Sequence, residues 1–154
     1  MKTRAILPAA ALLAALAFSP ALVWGDEESE LNDLPPAVQK TAHQQVGTSK
    51  IEEVEDTFEE GQHATEVEYR ENGQKMAVVI AKDGTLIQKE HRLSPSETPD
   101  AIKKSVATLY PDGKITHIKE VEQKEVKFFE LSVKTADKVH QLKLDPAGQP
   151  LARH

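Results

Sequence analysis

The sequence predicts an α+β fold made of two tandem α-β-β-β-β modules, each a helix packed on an antiparallel sheet. Two observations predict this fold. The chain aligns with itself without a gap when residues 34–90 are shifted by 64 positions onto residues 98–154. Within each copy, the spacing of the apolar residues then changes from that of a helix to that of strands. A repeat of this length means that every element occurs twice.

The helix of each copy is predicted from apolar residues four positions apart, which form one stripe along a helix. Proline precedes each stripe and glycine follows it, as is typical of the two ends of a helix. The stripes consist of Val38, Ala42 and Val46 in the first copy and of Ile102, Val106 and Tyr110 in the second.

The strands are predicted from apolar residues that alternate with polar ones, such as Val67 and Tyr69 in the first copy. Asn72-Gly73 and Asp83-Gly84 separate such runs, and both pairs tolerate the positive φ of a tight hairpin turn. Connections this short predict antiparallel neighbours. The predicted strands are 51–59, 63–71, 74–82 and 85–90, then 115–122, 126–134, 138–144 and 149–153.

The N-terminal residues 1–25 are predicted to be a signal peptide. Lys2 and Arg4 precede an apolar, Ala-rich run that ends at Trp24, and acidic residues follow from Asp26. We expect cleavage after Gly25; the alternative is an uncleaved N-terminal anchor, since about 20 apolar residues can span a bilayer. The remaining chain divides into an acidic segment (26–33), a first repeat (34–92), a linker (93–97) and a second repeat (98–154).

The net charge disfavours two classes of partner, and the absence of cysteine excludes several kinds of site. Removal of residues 1–25 lowers the basic residues from 19 to 17 and leaves 25 acidic ones, so the net charge becomes 17 − 25 = −8. An acidic chain without a basic block is not expected to bind nucleic acid or anionic lipid. No stable membrane insertion is expected once the signal peptide is cleaved. Because the chain has no Cys, it can form no disulfide and no thiolate metal site, and it has no cysteine nucleophile.

Short motifs recur in both copies. Each helix opens on Pro-x-Ala followed by Val38 or Ile102, and Lys-Ile enters the first strand of each copy. The Glu-Val-x-Tyr strand at Glu66 corresponds to Glu-Leu-x-Val at Glu130 in the second copy. A hairpin that contains Gly84 or Gly148 follows in each copy. In these features the chain resembles the PepSY-like family, and its tandem arrangement is similar to members whose fold is likened to β-lactamase-inhibitor protein. That resemblance implies a periplasmic or secreted, non-enzymatic protein that modulates a peptidase or another envelope protein by binding it.

The sequence shows no motif for catalysis or metal binding. It contains no Gly-x-Ser-x-Gly, no His-Glu-x-x-His and no glycine-rich phosphate loop. No two of its six histidines have the spacing of a metal-binding pair. We therefore expect no enzyme activity, no cofactor and no metal site. The acidic residues between Glu52 and Glu60 are interpreted as a solvated charge run.

The two copies together predict which face each strand residue uses. Val78 and Ile80 align with the apolar Leu142 and Leu144, so these positions should face the helices, and their neighbours should face the other way. A shallow protein- or peptide-binding surface is predicted on that outer face. Its residues are Glu66, Glu68, Arg70, Ala77, Val79, Phe128, Glu130, Ser132, Gln141 and Lys143.

Three functions remain open from the sequence. The first is an envelope protein that binds a protein or peptide through its sheet, either on the outer face or by adding a strand at an open edge. An alternative for the apolar outer residues is that Val79 and Phe128 pack in the seam between the copies. The second function is a periplasmic domain that senses a small ligand or a metal, and the third, more remote, is an unrecognised hydrolase.

Overall fold

The computed structural model describes residues 27–151 and consists mostly of β-strands. The predicted signal peptide and its cleavage site lie outside these residues. The helices are α1 (Glu27–Asn32), α2 (Pro36–Val46) and α3 (Asp100–Leu109), with a 3-10 turn at Pro95–Glu97. The strands are β1 (Lys50–Glu59), β2 (Gln62–Glu71), β3 (Gln74–Ala81), β4 (Leu86–Leu93), β5 (Lys114–Gln123), β6 (Val126–Lys134) and β7 (Val139–Leu144).

The seven strands form one antiparallel sheet in chain order, from β1 at one edge to β7 at the other. β4 and β5 pair from Gln88↔Gln123 to Leu93↔Ile118, which joins the two halves of the chain in the middle of the sheet. The prediction of two tandem helix-on-sheet modules was therefore wrong. Separate modules would leave two further edges with unpaired backbone groups, whereas the β4–β5 pairing satisfies both.

The predicted eighth strand at 149–153 is also absent from the part of it that the structure describes. The chain instead turns after β7 and makes a single bridge between Leu144 and Pro150. The amide of Leu151 donates to the carbonyl of Lys143 at 2.8 Å. This return of the chain covers one end of the β7 edge.

Both long helices pack on the same face of the sheet, here called the inner face. Val38, Ala42 and Val46 of α2 pack against Val67 and Val78, together with Leu31 of α1. On the other half, Ile102 and Val106 of α3 pack against Ile118, Phe129, Leu131, Val133 and Leu144. The apolar stripes of both helices thus bury the alternate strand residues, as their spacing requires.

Each helix makes an equivalent hydrogen bond to a hairpin turn of the sheet, and the two bonds lie 64 residues apart in the sequence. The hydroxyl of Thr41 donates to the carbonyl of Gly84 at 2.6 Å, and that of Ser105 donates to the carbonyl of Gly148 at 2.6 Å. Both glycines have φ above +80°. A Cβ atom on Gly84 would lie 2.7 Å from the carbonyl oxygen of Ala37, so the hairpin can approach the helix this closely only with glycine.

Candidate functional site

The face opposite the helices, here called the outer face, runs without interruption across the sheet. All ten predicted site residues lie on it: Glu66, Glu68 and Arg70 of β2, Ala77 and Val79 of β3, Phe128, Glu130 and Ser132 of β6, and Gln141 and Lys143 of β7. Their cross-strand pairs put them side by side, as in Glu66↔Val79 and Glu130↔Lys143. The β2–β3 group and the β6–β7 group are nevertheless separated by β4 and β5.

Three apolar residues of the predicted set are buried and form the floor of the outer face. Ala77 and Val79 are at most 1% exposed, and Phe128 is 3% exposed. Val79 packs with Ala64, Ala81 and Ile87. The ammonium group of Lys143 lies 3.9 Å from the ring centroid of Phe128, close enough for a cation–π contact. These apolar side chains support the charged ones and offer little contact surface themselves.

Glu90 lies at the centre of the outer face, and the sequence reasoning missed it. Its side chain is fully buried, and its Oε1 accepts hydrogen bonds from Gln88 Nε2 at 2.7 Å and from Lys119 Nζ at 2.5 Å. Its Oε2 has no hydrogen-bond partner within the described residues. Burial of a carboxylate costs hydration free energy, and the nearby ammonium group of Lys119 offsets that cost.

Lys119 connects Glu90 to the far side of the sheet. Its ammonium lies 3.4 Å from Glu130, which in turn lies 3.2 Å from Lys143. Burial alone would lower the pKa of Lys119, but Glu90 and Glu130 outweigh it, so the pKa is raised and the side chain stays charged. Acids and bases therefore alternate across β4 to β7, which orients each charged group.

A second group of ion pairs crosses β2 to β4. Arg92 contacts Glu66 at 3.1 Å and also pairs with Glu68, while Lys75 lies 3.3 Å from Glu68. Burial raises the pKa of the Glu66 carboxyl, and the negative charge of Glu90 raises it further against the opposing effect of Lys119 and Arg92. The charged form of Glu66 is therefore disfavoured in the folded protein.

The sequence alone could have placed four further residues on the outer face, although not beside one another: Gln88, Glu90, Arg92 and Lys119. They alternate with neighbours along β4 and β5, so the period of two places them on the outer face. In the predicted fold, strand 85–90 is the last strand of the first module and has no neighbour in the second. In the structure β4 continues to Leu93 and lies against β5.

A pocket of about 400 Å³ opens among β4, β5, β6 and β7. Charged and polar groups on its wall can hydrogen-bond a ligand, and apolar residues complete the lining. It is lined by Arg92, Leu93, Thr116, His117, Ile118, Lys119, Glu130, Leu131, Ser132 and Gln141. Residues 27–151 contain no group of three or more His, Cys, Asp or Glu that could hold a metal ion.

Solved structures show a similar fold. A protein of Bacteroides eggerthii described as periplasmic matches with a TM-score of 0.63 and 18% identity over 77% of this chain and 86% of that one. A DUF2874 family protein of Bacteroides ovatus matches with a TM-score of 0.62 and 18% identity, over 77% and 85%. A BLIP-like protein of Bacteroides fragilis matches with a TM-score of 0.58 and 15% identity, over 80% and 89%. The chain therefore has a BLIP-like fold.

Comparisons with protein-family models and with curated proteins gave no match. Among residues 27–151, none of the helices has the length and apolar character needed to cross a membrane.

Proposed function

We propose that the chain is an exported, non-enzymatic binding protein of the bacterial periplasm, and that it engages a protein or peptide through its outer face. One observation carries this function: on the face opposite both long helices, charged side chains are held in ion pairs above a layer of buried apolar residues. The side chains of Arg92 and Lys75 are each 42% exposed and that of Glu130 is 33% exposed, so they can contact a partner. Because their geometry is already set by the ion pairs, binding orders few side chains and loses little entropy.

The compartment is supported by two independent features. The apolar run before Asp26 follows basic residues, as in a secretory signal. One protein of similar fold, that of Bacteroides eggerthii, is described as periplasmic. The resemblance to the PepSY-like family implies a role in modulating peptidases or other envelope proteins, so the partner class we propose is a peptidase or another envelope protein.

Affinity capture from envelope extract, with residues 26–154 as bait, tests this function. The informative variant is Lys143→Glu, which reverses a charge on the outer face above Phe128. Its matched control is Lys104→Glu on α3, an exposed position on the helix side of the molecule. Selective loss of one captured protein with Lys143→Glu, but not with Lys104→Glu, supports the outer face. Equal capture by both folded variants contradicts it.

A second candidate function is the binding of a small polar ligand in the pocket between β4 and β7. The pocket volume of about 400 Å³ favours it, since it falls within the range of small-molecule sites. A ligand screen by thermal shift would then find compounds that raise the Tm of the wild type. Ser132→Leu, which fills the pocket wall, should abolish that increase, whereas Lys104→Glu should leave it unchanged.

A further inference from the structure

β1 is an edge strand whose outward backbone groups have no partner among the described residues. Among the described strands it pairs only with β2, through nine residue pairs from Lys50↔Arg70 to Glu59↔Gln62, with a register shift at Glu52. The opposite edge, β7, is shorter and is partly covered by the return of the chain at Leu151. Unpaired N–H and C=O groups along an extended strand are a template for another strand.

The β1–β2 turn determines which residues of β1 point their backbone outward. Glu60 and Gly61 both have positive φ and form a two-residue hairpin turn. In such a hairpin the flanking pair, Glu59↔Gln62, exchanges hydrogen bonds, and the bonding alternates along the ladder. The outward N–H and C=O groups therefore belong to Val54, Asp56 and Phe58.

The side chains of β1 define the chemistry of a strand that would fit beside it. Glu53, Glu55 and Glu59 project on the outer face. Val54, Asp56 and Phe58 project on the inner face, where Val54 packs against the core of the first half and Phe58 is 63% exposed. No basic residue lies between Ile51 and Gly61, and within the described residues only Glu52 and Glu60 of this segment form ion pairs. A hydrogen bond between the carboxyl groups of Glu53 and Glu55 raises the pKa of Glu53, and the negative charge of Glu55 raises it further.

We propose that the outward edge of β1 binds an extended segment of a protein partner in which basic residues alternate with apolar ones. Lys or Arg would face Glu53, Glu55 and Glu59, and apolar residues would cover Val54 and Phe58. A second copy of β1 is a poor occupant, because its carboxylates would oppose those of the first strand. The backbone edge of β1 is distinct from the outer-face ion pairs, although Glu53, Glu55 and Glu59 border them, so strand addition goes beyond the function proposed above.

The test uses a labelled peptide that alternates Lys with Val over the length of β1, with a Glu-Val peptide as its control. Titration of each into residues 26–154 should give saturable binding of the Lys-Val peptide only. Cross-strand NOEs should join it to Val54, Asp56 and Phe58. Equal binding of both peptides, no binding, or NOEs elsewhere would overturn the assignment.

Two further changes separate strand addition from other modes of binding. Asp56→Pro removes an outward N–H that β2 does not use, so the folded variant should weaken the Kd for the Lys-Val peptide by about tenfold or more. N-methylation of the peptide at alternate residues makes the same test without changing the protein. Lys104→Glu, on the helix side, should leave this binding unchanged. Unchanged binding with both the proline variant and the N-methylated peptide would contradict strand addition.

Discussion

Glu60 and Lys124, which occupy equivalent positions 64 residues apart, form an ion pair of 2.7 Å between two hairpin turns. Both residues have φ of 49°. The hairpins belong to β1–β2 and β5–β6, and β1 lies four strands from β5, which in a flat sheet is roughly 19 Å. The sheet must therefore curl toward its outer face. Glu59 supports this geometry: burial raises its pKa, and the charge of Glu130 on β6 raises it further.

Reversal of one charge in this pair should cost little, and reversal of both should restore stability. Lys124 is 74% exposed, so Lys124→Glu is expected to lower the free energy of unfolding by less than about 1 kcal/mol. The double variant Glu60→Lys/Lys124→Glu should recover that loss, as measured by urea denaturation. A double variant less stable than either single one would show that the two side chains do not interact.

Gly84→Ala should be far more destabilising than a matched change in an open turn. Gly73 has nearly the same φ as Gly84, +84° against +87°, but no atom lies within 4 Å of its Cβ position. Gly73→Ala should cost about 1 kcal/mol from backbone strain alone. Gly84→Ala adds the collision with Ala37 and should cost about 3 kcal/mol or more in chemical denaturation. Equal costs would mean that the helix–hairpin contact has no effect on stability.

Lys119→Met alone should lower the free energy of unfolding more than Lys119→Met combined with Glu90→Gln. The single variant leaves the Glu90 carboxylate buried without its cation, at a cost of about 3–5 kcal/mol. The double variant removes both charges and should recover at least half of that cost. The measurement is a double-mutant cycle of unfolding free energies followed by circular dichroism. Additive effects of the two changes would contradict a coupled buried pair.

Glu66→Gln should stabilise the protein more at neutral pH than at acidic pH. The folded pKa of Glu66 is raised, so the folded state binds the proton more tightly than the unfolded state does. The charged carboxyl is therefore unfavourable above the folded pKa, and this penalty disappears as the pH falls below the unfolded pKa near 4.5. Unfolding free energies of wild type and variant, compared at pH 7 and pH 4, measure the difference.

Glu52→Gln is the matched control and should show the opposite dependence. The hydrogen bond from Arg70 lowers the pKa of Glu52, so its charge stabilises the fold above the unfolded pKa and that contribution is lost as the pH falls. Glu52→Gln should thus be more destabilising at pH 7 than at pH 4. The same sign for both variants would contradict the assigned environments.

The strand positions could be predicted closely, because they depend on local patterns. β2 was predicted at 63–71 and is found at Gln62–Glu71, where alternation ends at Asn72-Gly73. The pairing of β4 with β5 could not be predicted in this way, since no local signal specifies which open edges meet. That pairing also brings Lys119 beside Glu90, 29 positions earlier in the chain, and a buried Glu is contrary to its usual exposure. The centre of the candidate site was therefore missed.

Methyl NMR of the captured complex tests most directly whether the outer face is the binding surface. Ala64, Ala77, Val79 and Val121 report on the outer face, and Val38, Val78, Ile102 and Val106 report on the helix side. Addition of the captured partner is predicted to shift the outer-face methyl signals and to leave those of the helix side in place. Shifts confined to the methyl groups of α2 and α3 would contradict binding through the outer face.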